Sequence, residues 1–257
     1  MTSKTEGKLD LIKLEMKDER ILIIPDIHGR TFWKKAVEKY PEVETIFLGD
    51  YHDPYSHEGI TNAESLRNFK EIIEYVKSHL NCKLLIGNHD LHYLIDIEGC
   101  RKDYGNEPII RRLFLDNLEL FDLAALREIN GKKYLFSHAP VLKEWIREIG
   151  ETENVELLVK RLNRYFHDIE NNEEELQKLL DRVSHYRGGW NAWGSPIWSD
   201  LYEIYESGGT LIDTADYSIF GHSQLKRPLI TKECACLDTH NAYLLKPDGE
   251  IESVGNN

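Results

Sequence analysis

Short apolar runs recur along this chain, each stopped by residues that can bind a metal. The first run, Ile21 to Ile24, breaks at Pro25 and is followed by Asp26, Ile27, His28 and Gly29. Branched aliphatics closed by a turn residue predict a buried strand, with the acid and imidazole in the loop at its carboxyl end. Thr31 to Tyr40 places Phe32, Ala36, Val37 and Tyr40 on one side of a helix that Pro41 ends. Thr45 to Leu48 is the second run, closed by Gly49 and Asp50. After a polar loop at 51–60, a long helix starts at Thr61, where Thr61 and Glu64 fit a capping box. Leu66, Phe69, Ile72, Ile73 and Val76 form its buried face. Lys83 to Ile86 is the third run, closed by Gly87, Asn88, His89 and Asp90. Strand, helix, strand, helix, strand predicts a parallel sheet with covering helices. Ligands of such sheets bind outside the carboxyl ends of the strands, where all three runs deliver polar residues.

The pattern then changes. Leu91 to Leu126 reads as largely helical, with a break from Gly99 to Pro108. Asn130-Gly131 between two extended arms predicts a hairpin whose second arm runs into Ser137 and His138. Residues 141–187 are charged and helical, an insertion expected on one side of the sheet near the site mouth, with its charges as a solvated face. Gly188 to Asp200 is a loop rich in tryptophan. Ser218 to Phe220 closes with Gly221 and His222. Ala235 to Leu237, Ala242 to Leu245 and Ile251 to Val254 predict an antiparallel meander with a turn at Pro247-Asp248-Gly249. No repeat or linker divides the chain, so residues 1–257 are expected to form one domain.

Composition narrows the class. A balance of 32 basic to 45 acidic residues gives −13, which argues against a sequence-independent nucleic-acid partner. Phosphorylated substrates stay compatible, because metal ions reverse the local sign at a carboxylate-lined site. Cys82, Cys100, Cys234 and Cys236 include no Cys-x-x-Cys pair and read as free thiols in a reducing compartment. The polar N-terminus holds no signal-peptide core, and no apolar run reaches membrane-spanning length. The expectation is a cytoplasmic protein, without a membrane partner, whose first eight or so residues are mobile.

Five segments share one design, a short apolar run followed by Asp, Asn or His: Asp26 with His28, Asp50 with Asp53, Asn88 with His89, Ser137 with His138, and Gly221 with His222. Any one histidine alone would read as a hydrogen-bonded structural residue, but the set reads as ligands. Mixed Asp, His and Asn donors without thiolate suit manganese, iron or zinc better than calcium or copper(I). Two aspartates, one asparagine and three histidines exceed the needs of one ion and fit two. A carboxylate can bridge a pair of ions, and Asp50, central in the second motif, is the natural bridge. Two ions about 3.5–4 Å apart can clamp a phosphoryl group and convert a bridging water to hydroxide.

The ordered set Asp26-x-His28, Gly49-Asp50-x-x-Asp53, Gly87-Asn88-His89-Asp90, His138 and Gly221-His222 resembles the calcineurin-like metallophosphoesterase superfamily, most of all its serine/threonine phosphatase and bacterial diadenosine-tetraphosphatase branch. Pro196 to Asp200 and Cys236 to Thr239 are similar to further segments of that branch. The resemblance implies an α/β fold of four layers (α/β/β/α), two mixed sheets flanked by helices, with the metals at the carboxyl ends of the strands. It implies that Asp26 and His28 hold one metal, that Asp50 bridges, and that Asn88, His138 and His222 hold the second. It implies that His89 serves the leaving oxygen and that Asp53 orients it. Two divalent ions are expected, manganese first, with iron or zinc as alternatives.

The chain also departs from the pattern. Pro54 and Tyr55 follow Asp53 where the protein phosphatases have Arg-Gly, so the phosphate-gripping arginine is missing there. Arg187 is the preferred replacement, followed by Arg30, with Arg227 also considered. His52 stands where an apolar residue is usual, and Gln224 stands where the nuclease branch has a metal-binding histidine, which argues against a nuclease. The leading expectation is a phosphatase acting on a phosphoprotein or small phosphorylated molecule by in-line attack of a metal-bound hydroxide. The alternatives are a dinucleoside polyphosphate or other phosphoanhydride hydrolase, with Trp193 and Trp198 stacking a base, and a non-catalytic metal-binding scaffold.

Overall fold

The structure is a computed structural model describing residues 18–97, 99 and 101–255. The N-terminal segment expected to be mobile and Cys100 lie outside the described residues. The three predicted runs form β1 (Ile21–Ile24), β2 (Glu44–Phe47) and β3 (Cys82–Leu85), joined by α1 (Phe32–Lys39) and α2 (Asn62–Ser78). They pair in parallel, with Ile21 opposite Glu44 and Ile46 opposite Lys83. The α2 cap is a full capping box, in which Glu64 N–H donates to Thr61 Oγ1 at 3.2 Å and Thr61 N–H to Glu64 Oε2 at 2.9 Å. Gly29 (φ 79°) lets this helix pack tightly, since a Cβ there would meet Ser65 Oγ at 2.7 Å.

The remainder completes two mixed sheets. The short α3 (Asn88–Leu91) and α4 (Glu107–Leu115) lead into β4 (Phe121–Asp122), β5 (Ala124–Ile129) and β6 (Lys132–Ser137). After α5 (Lys143–Ile149), α6 (Val155–His167), α7 (Ile169–Leu180) and α8 (Leu201–Tyr205) come β7 (Tyr217–Phe220), β8 (Leu229–Ile230), β9 (Cys234–Cys236), β10 (Tyr243–Leu245) and β11 (Ile251–Ser253). One sheet has the order β11-β10-β1-β2-β3-β4 and the other β5-β6-β7-β9-β8. The Asn130-Gly131 hairpin forms as expected, with both turn residues at positive φ, 49° and 74°.

Two expectations are corrected. The stretch from 91 to 126 is helical only in part, because Phe121–Asp122 and Ala124–Ile129 are strands. The meander is split: β10 and β11 pair antiparallel in the first sheet, but β9 pairs parallel with β7 in the second. The chain crosses between sheets after Leu237, which buries β9 beside β7 instead of beside β10.

The alternation of β1 explains why its run is wholly apolar. Ile21 and Ile23 enter the core between the sheets with Ile46, Phe136, Ile219 and Tyr243, while Leu22 and Ile24 face the helices with Phe69, Ile72 and Val76. A strand buried on both faces has no polar side to show. On the second sheet Ala124 and Leu135 pack with Trp145, Leu158 and Leu162 of the 143–180 helices. Asn163 of α6 ties this layer to the sheet, accepting from Leu123 N–H (2.9 Å) and Ala124 N–H (3.2 Å) and donating to Ala124 O (2.9 Å). Among the described residues no helix is long and apolar enough to cross a membrane.

Candidate metal centre

Both sheets present their parallel strands to one edge. There β1 delivers Asp26 and His28, β2 delivers Asp50 and Asp53, β3 delivers Asn88 and His89, β6 delivers His138, and β7 delivers His222. All eight side chains are buried. Besides the group Asp53-His89-His92, two ligand triads result among the described residues, Asp26-His28-Asp50 and Asp50-His138-His222, each with donor atoms within 4.8 Å of one another. They share Asp50. Asn88 joins the second triad through Oδ1, 3.0 Å from His138 Nε2.

The backbone is bent to make this edge. Among the described residues six non-glycine positions have positive φ, and four of them are His28 (43°), Asp50 (56°), Asp53 (54°) and His222 (62°). Such conformations persist where the surroundings over-determine them, and they cluster at functional sites. Glycines clear the space. A Cβ on Gly87 would lie 2.1 Å from Asp50 Oδ1, and one on Gly221 would lie 2.1 Å from Asp26 Oδ1.

Backbone carbonyls set the histidine tautomers. His28 Nδ1 lies 3.0 Å from His52 O and 3.1 Å from Asp53 O, and His138 Nδ1 lies 2.8 Å from Leu48 O. A carbonyl only accepts, so each Nδ1 carries a hydrogen and leaves Nε2 facing Asp50 Oδ2, at 3.2 Å and 3.5 Å, where it can hold a proton against the carboxylate in the metal-free site and would give its lone pair to a metal. The His222 imidazole is held well below its usual range by burial, Arg187 and His138, so it is neutral, the form that binds a metal. Burial alone would raise the Asp50 carboxyl, but the charge of His138 and the hydrogen bond of His28 hold it well below the usual carboxylate range. His222 Nε2 is buried without a hydrogen-bond partner. Two carboxylates, three imidazoles, one of them carrying this orphaned nitrogen, and an amide oxygen make a donor set that fits divalent cations. Burial pushes the Cys82 thiol up to about 11 and raises those of Cys234 and Cys236, so these sulfurs stay protonated and do not compete.

His89 lies beside the triads, edge-on to His28 at 5.1 Å. Its Nδ1 is 3.0 Å from Asp53 Oδ2. Asp53 does more than the sequence suggests: it also meets His92 Nε2 at 2.8 Å and accepts from Tyr93 O–H. Burial raises the Asp53 carboxyl, yet His89 and His92 together keep it ionised well below the usual range. His52 faces away from the site, fully buried with Nε2 3.2 Å from Asp103 Oδ2. Asp238, four residues before the chain crosses back to the first sheet, is buried, and burial and the charge of Asp26 hold its carboxyl well above the usual range.

The two preferred arginines are both engaged. Arg30 pairs with Glu58 through Nε (2.8 Å) and Nη2 (2.6 Å). Arg187 lies 2.6 Å from Asp200 and donates to His222 O at 3.0 Å. Trp198 is buried edge-on to His222, 5.9 Å away, and Trp193 is half-buried and packs against the core. Sequence reasoning missed Arg101, whose guanidinium stacks 3.6 Å over the Tyr55 ring, while that ring stands edge-on to His28 at 5.0 Å.

The calcineurin-like phosphoesterase family matches residues 19–225. No curated protein matches the chain in sequence. A solved structure of a cold-active protein tyrosine phosphatase is similar in fold, with a TM-score of 0.53 over 93% of this chain and 80% of that one, at 15% identity.

Proposed function

The chain belongs to the calcineurin-like phosphoesterases, metal-dependent hydrolases of phosphoesters, and we propose that it is a dinuclear phosphomonoesterase acting on a phosphoprotein or a small phosphorylated molecule. One observation carries this reading: Asp50 belongs to both ligand triads, with the Asp53–His89 pair beside them. Asp26 and His28 would hold one ion, Asn88, His138 and His222 the other, and Asp50 both, with manganese the first choice and iron or zinc also suited to such mixed oxygen and imidazole donors. When bound, the two ions would orient the phosphoryl group and lower the pKa of a water to near neutrality, supplying the nucleophile.

The protein's own groups do the rest. Asp53 holds the His89 ring through Nδ1 and favours its protonated form, which can pass a proton to the leaving oxygen. His92 and Tyr93 hold Asp53 in turn. Arg187 and Arg30 are the substrate-binding candidates read from the sequence, but each is neutralised by its carboxylate partner, Asp200 and Glu58. The helices of 143–180 are read as an insertion within the same domain.

The test is hydrolysis of p-nitrophenyl phosphate by the manganese-loaded protein and by Asp50→Asn and His89→Asn. Both variants should lose at least a hundredfold in kcat. Parent-like rates in both would sink the proposal. Turnover on a phosphopeptide against diadenosine tetraphosphate then separates ester from anhydride specificity.

A further inference from the structure

We propose that Arg101 grips the substrate phosphate, in place of the arginine that is missing after Asp53. The inference rests on the phosphatase reading above. A phosphate dianion approaching a site already lined by Asp26, Asp50 and Asp53 needs a guanidinium whose N–H edge is available, because planar bidentate donation is what arginine adds over a point charge. Arg30 spends that edge on Glu58, and Arg187 spends its own on Asp200 and the His222 carbonyl.

Arg101 differs in three ways. It pairs with no carboxylate among the described residues, whereas Arg30 and Arg187 each do. It is placed by the catalytic pair itself: its Nη2 donates to Asp53 O at 3.3 Å, and its own carbonyl lies 3.2 Å from His89 Nδ1. Its guanidinium carbon lies 3.6 Å over the centroid of the Tyr55 ring, and Tyr55 abuts the His28 ring. Stacking of this kind orders the guanidinium before substrate arrives and leaves its in-plane N–H groups to donate. Tyr55, which with Pro54 replaces the lost Arg-Gly pair, thus becomes the platform for an arginine supplied from a later loop.

The test uses full-length, manganese-loaded protein and inorganic phosphate as probe, with binding followed by calorimetry, metal content by mass spectrometry and folding by Tm. Arg101→Ala should weaken phosphate binding about ten- to a hundredfold at unchanged metal content, and Arg101→Lys should recover only part of the loss. With p-nitrophenyl phosphate, KM should rise more than kcat falls. Phosphate affinity within twofold of the parent in Arg101→Ala overturns the assignment, and so does a parent that binds no phosphate. Should Arg101→Ala lower Tm or metal content, Arg101→Lys decides, and full parent affinity in that variant overturns the bidentate grip. A parent that binds phosphate through Arg101 yet hydrolyses no phosphomonoester refutes the proposed reaction and leaves Arg101 standing.

Discussion

Asp90 Oδ2 accepts the backbone N–H of Asp50 at 2.7 Å, so the short helix α3 fixes the backbone of the residue on which both ligand triads depend. The same carboxylate accepts from Gly87 N–H at 2.9 Å, and its Oδ1 from Tyr51 N–H at 2.9 Å. Asn in its place would turn an amide N–H₂ toward one of these donors. Asp90→Asn should cost roughly 3 kcal/mol of stability and weaken manganese binding about ten- to a hundredfold. Urea unfolding and a metal titration check this, and parent-like values in both would show that Asp90 is not the support described.

Shared use of Asp50 sets a stoichiometry. The parent should take up two manganese ions per chain, His222→Ala should retain one, and Asp50→Ala should lose both at the same free metal concentration. Native mass spectrometry reads the count directly. Two ions retained by Asp50→Ala would remove it as the bridge.

His52 gives the metal-free protein a pH dependence. Burial holds its imidazole below the ordinary value of 6.5, against the pull of Asp53 and Asp103. The unfolded chain therefore binds a proton more readily than the folded one. Its contribution is fully present above about pH 6.5, and is lost as the pH falls below that value until the folded group also titrates. The slope from this one group is at most about 1.4 kcal/mol per pH unit. His52→Leu should flatten the stability profile between pH 6.5 and 5, and an unchanged slope would assign that sensitivity to other histidines.

Asn163 tests whether the 143–180 helices belong to the same cooperative unit as the sheets. Asn163→Ala removes three hydrogen bonds to Leu123 and Ala124 and should cost roughly 2–3 kcal/mol. One unfolding transition at lower denaturant, with kcat unchanged, is the expected result. Two separate transitions would mark the helices as an independent unit.

The strands that carry the site were readable because they are buried on both faces and stop abruptly at polar residues. The run at Ile21–Ile24 followed by Asp26 and His28 needs no tertiary information to be noticed. Phe121–Asp122 and the start of β5 at 124–126 were not readable, since they follow a helix closely and lack clean alternation of apolar and polar residues. Nor could the pattern show that Cys234–Cys236 pairs with β7, because a strand looks the same whichever sheet receives it. At the site, positions set by strand ends stood out, while those set by packing did not. His92 and Tyr93 read as ordinary helix residues until folding turns both onto Asp53. Arg101 lies in a break between helices, and only the approach of Tyr55 gives it a place.

Asp26 also accepts the backbone N–H of His222, at 3.0 Å and 3.1 Å, across 196 residues of sequence. No local segment can therefore assemble the centre by itself. Both sheets must dock, and the chain must nearly finish searching its conformations, before the first and last ligand loops meet. Completion of the two-ion centre is thereby tied to the closing stage of folding, because the second triad waits for His222.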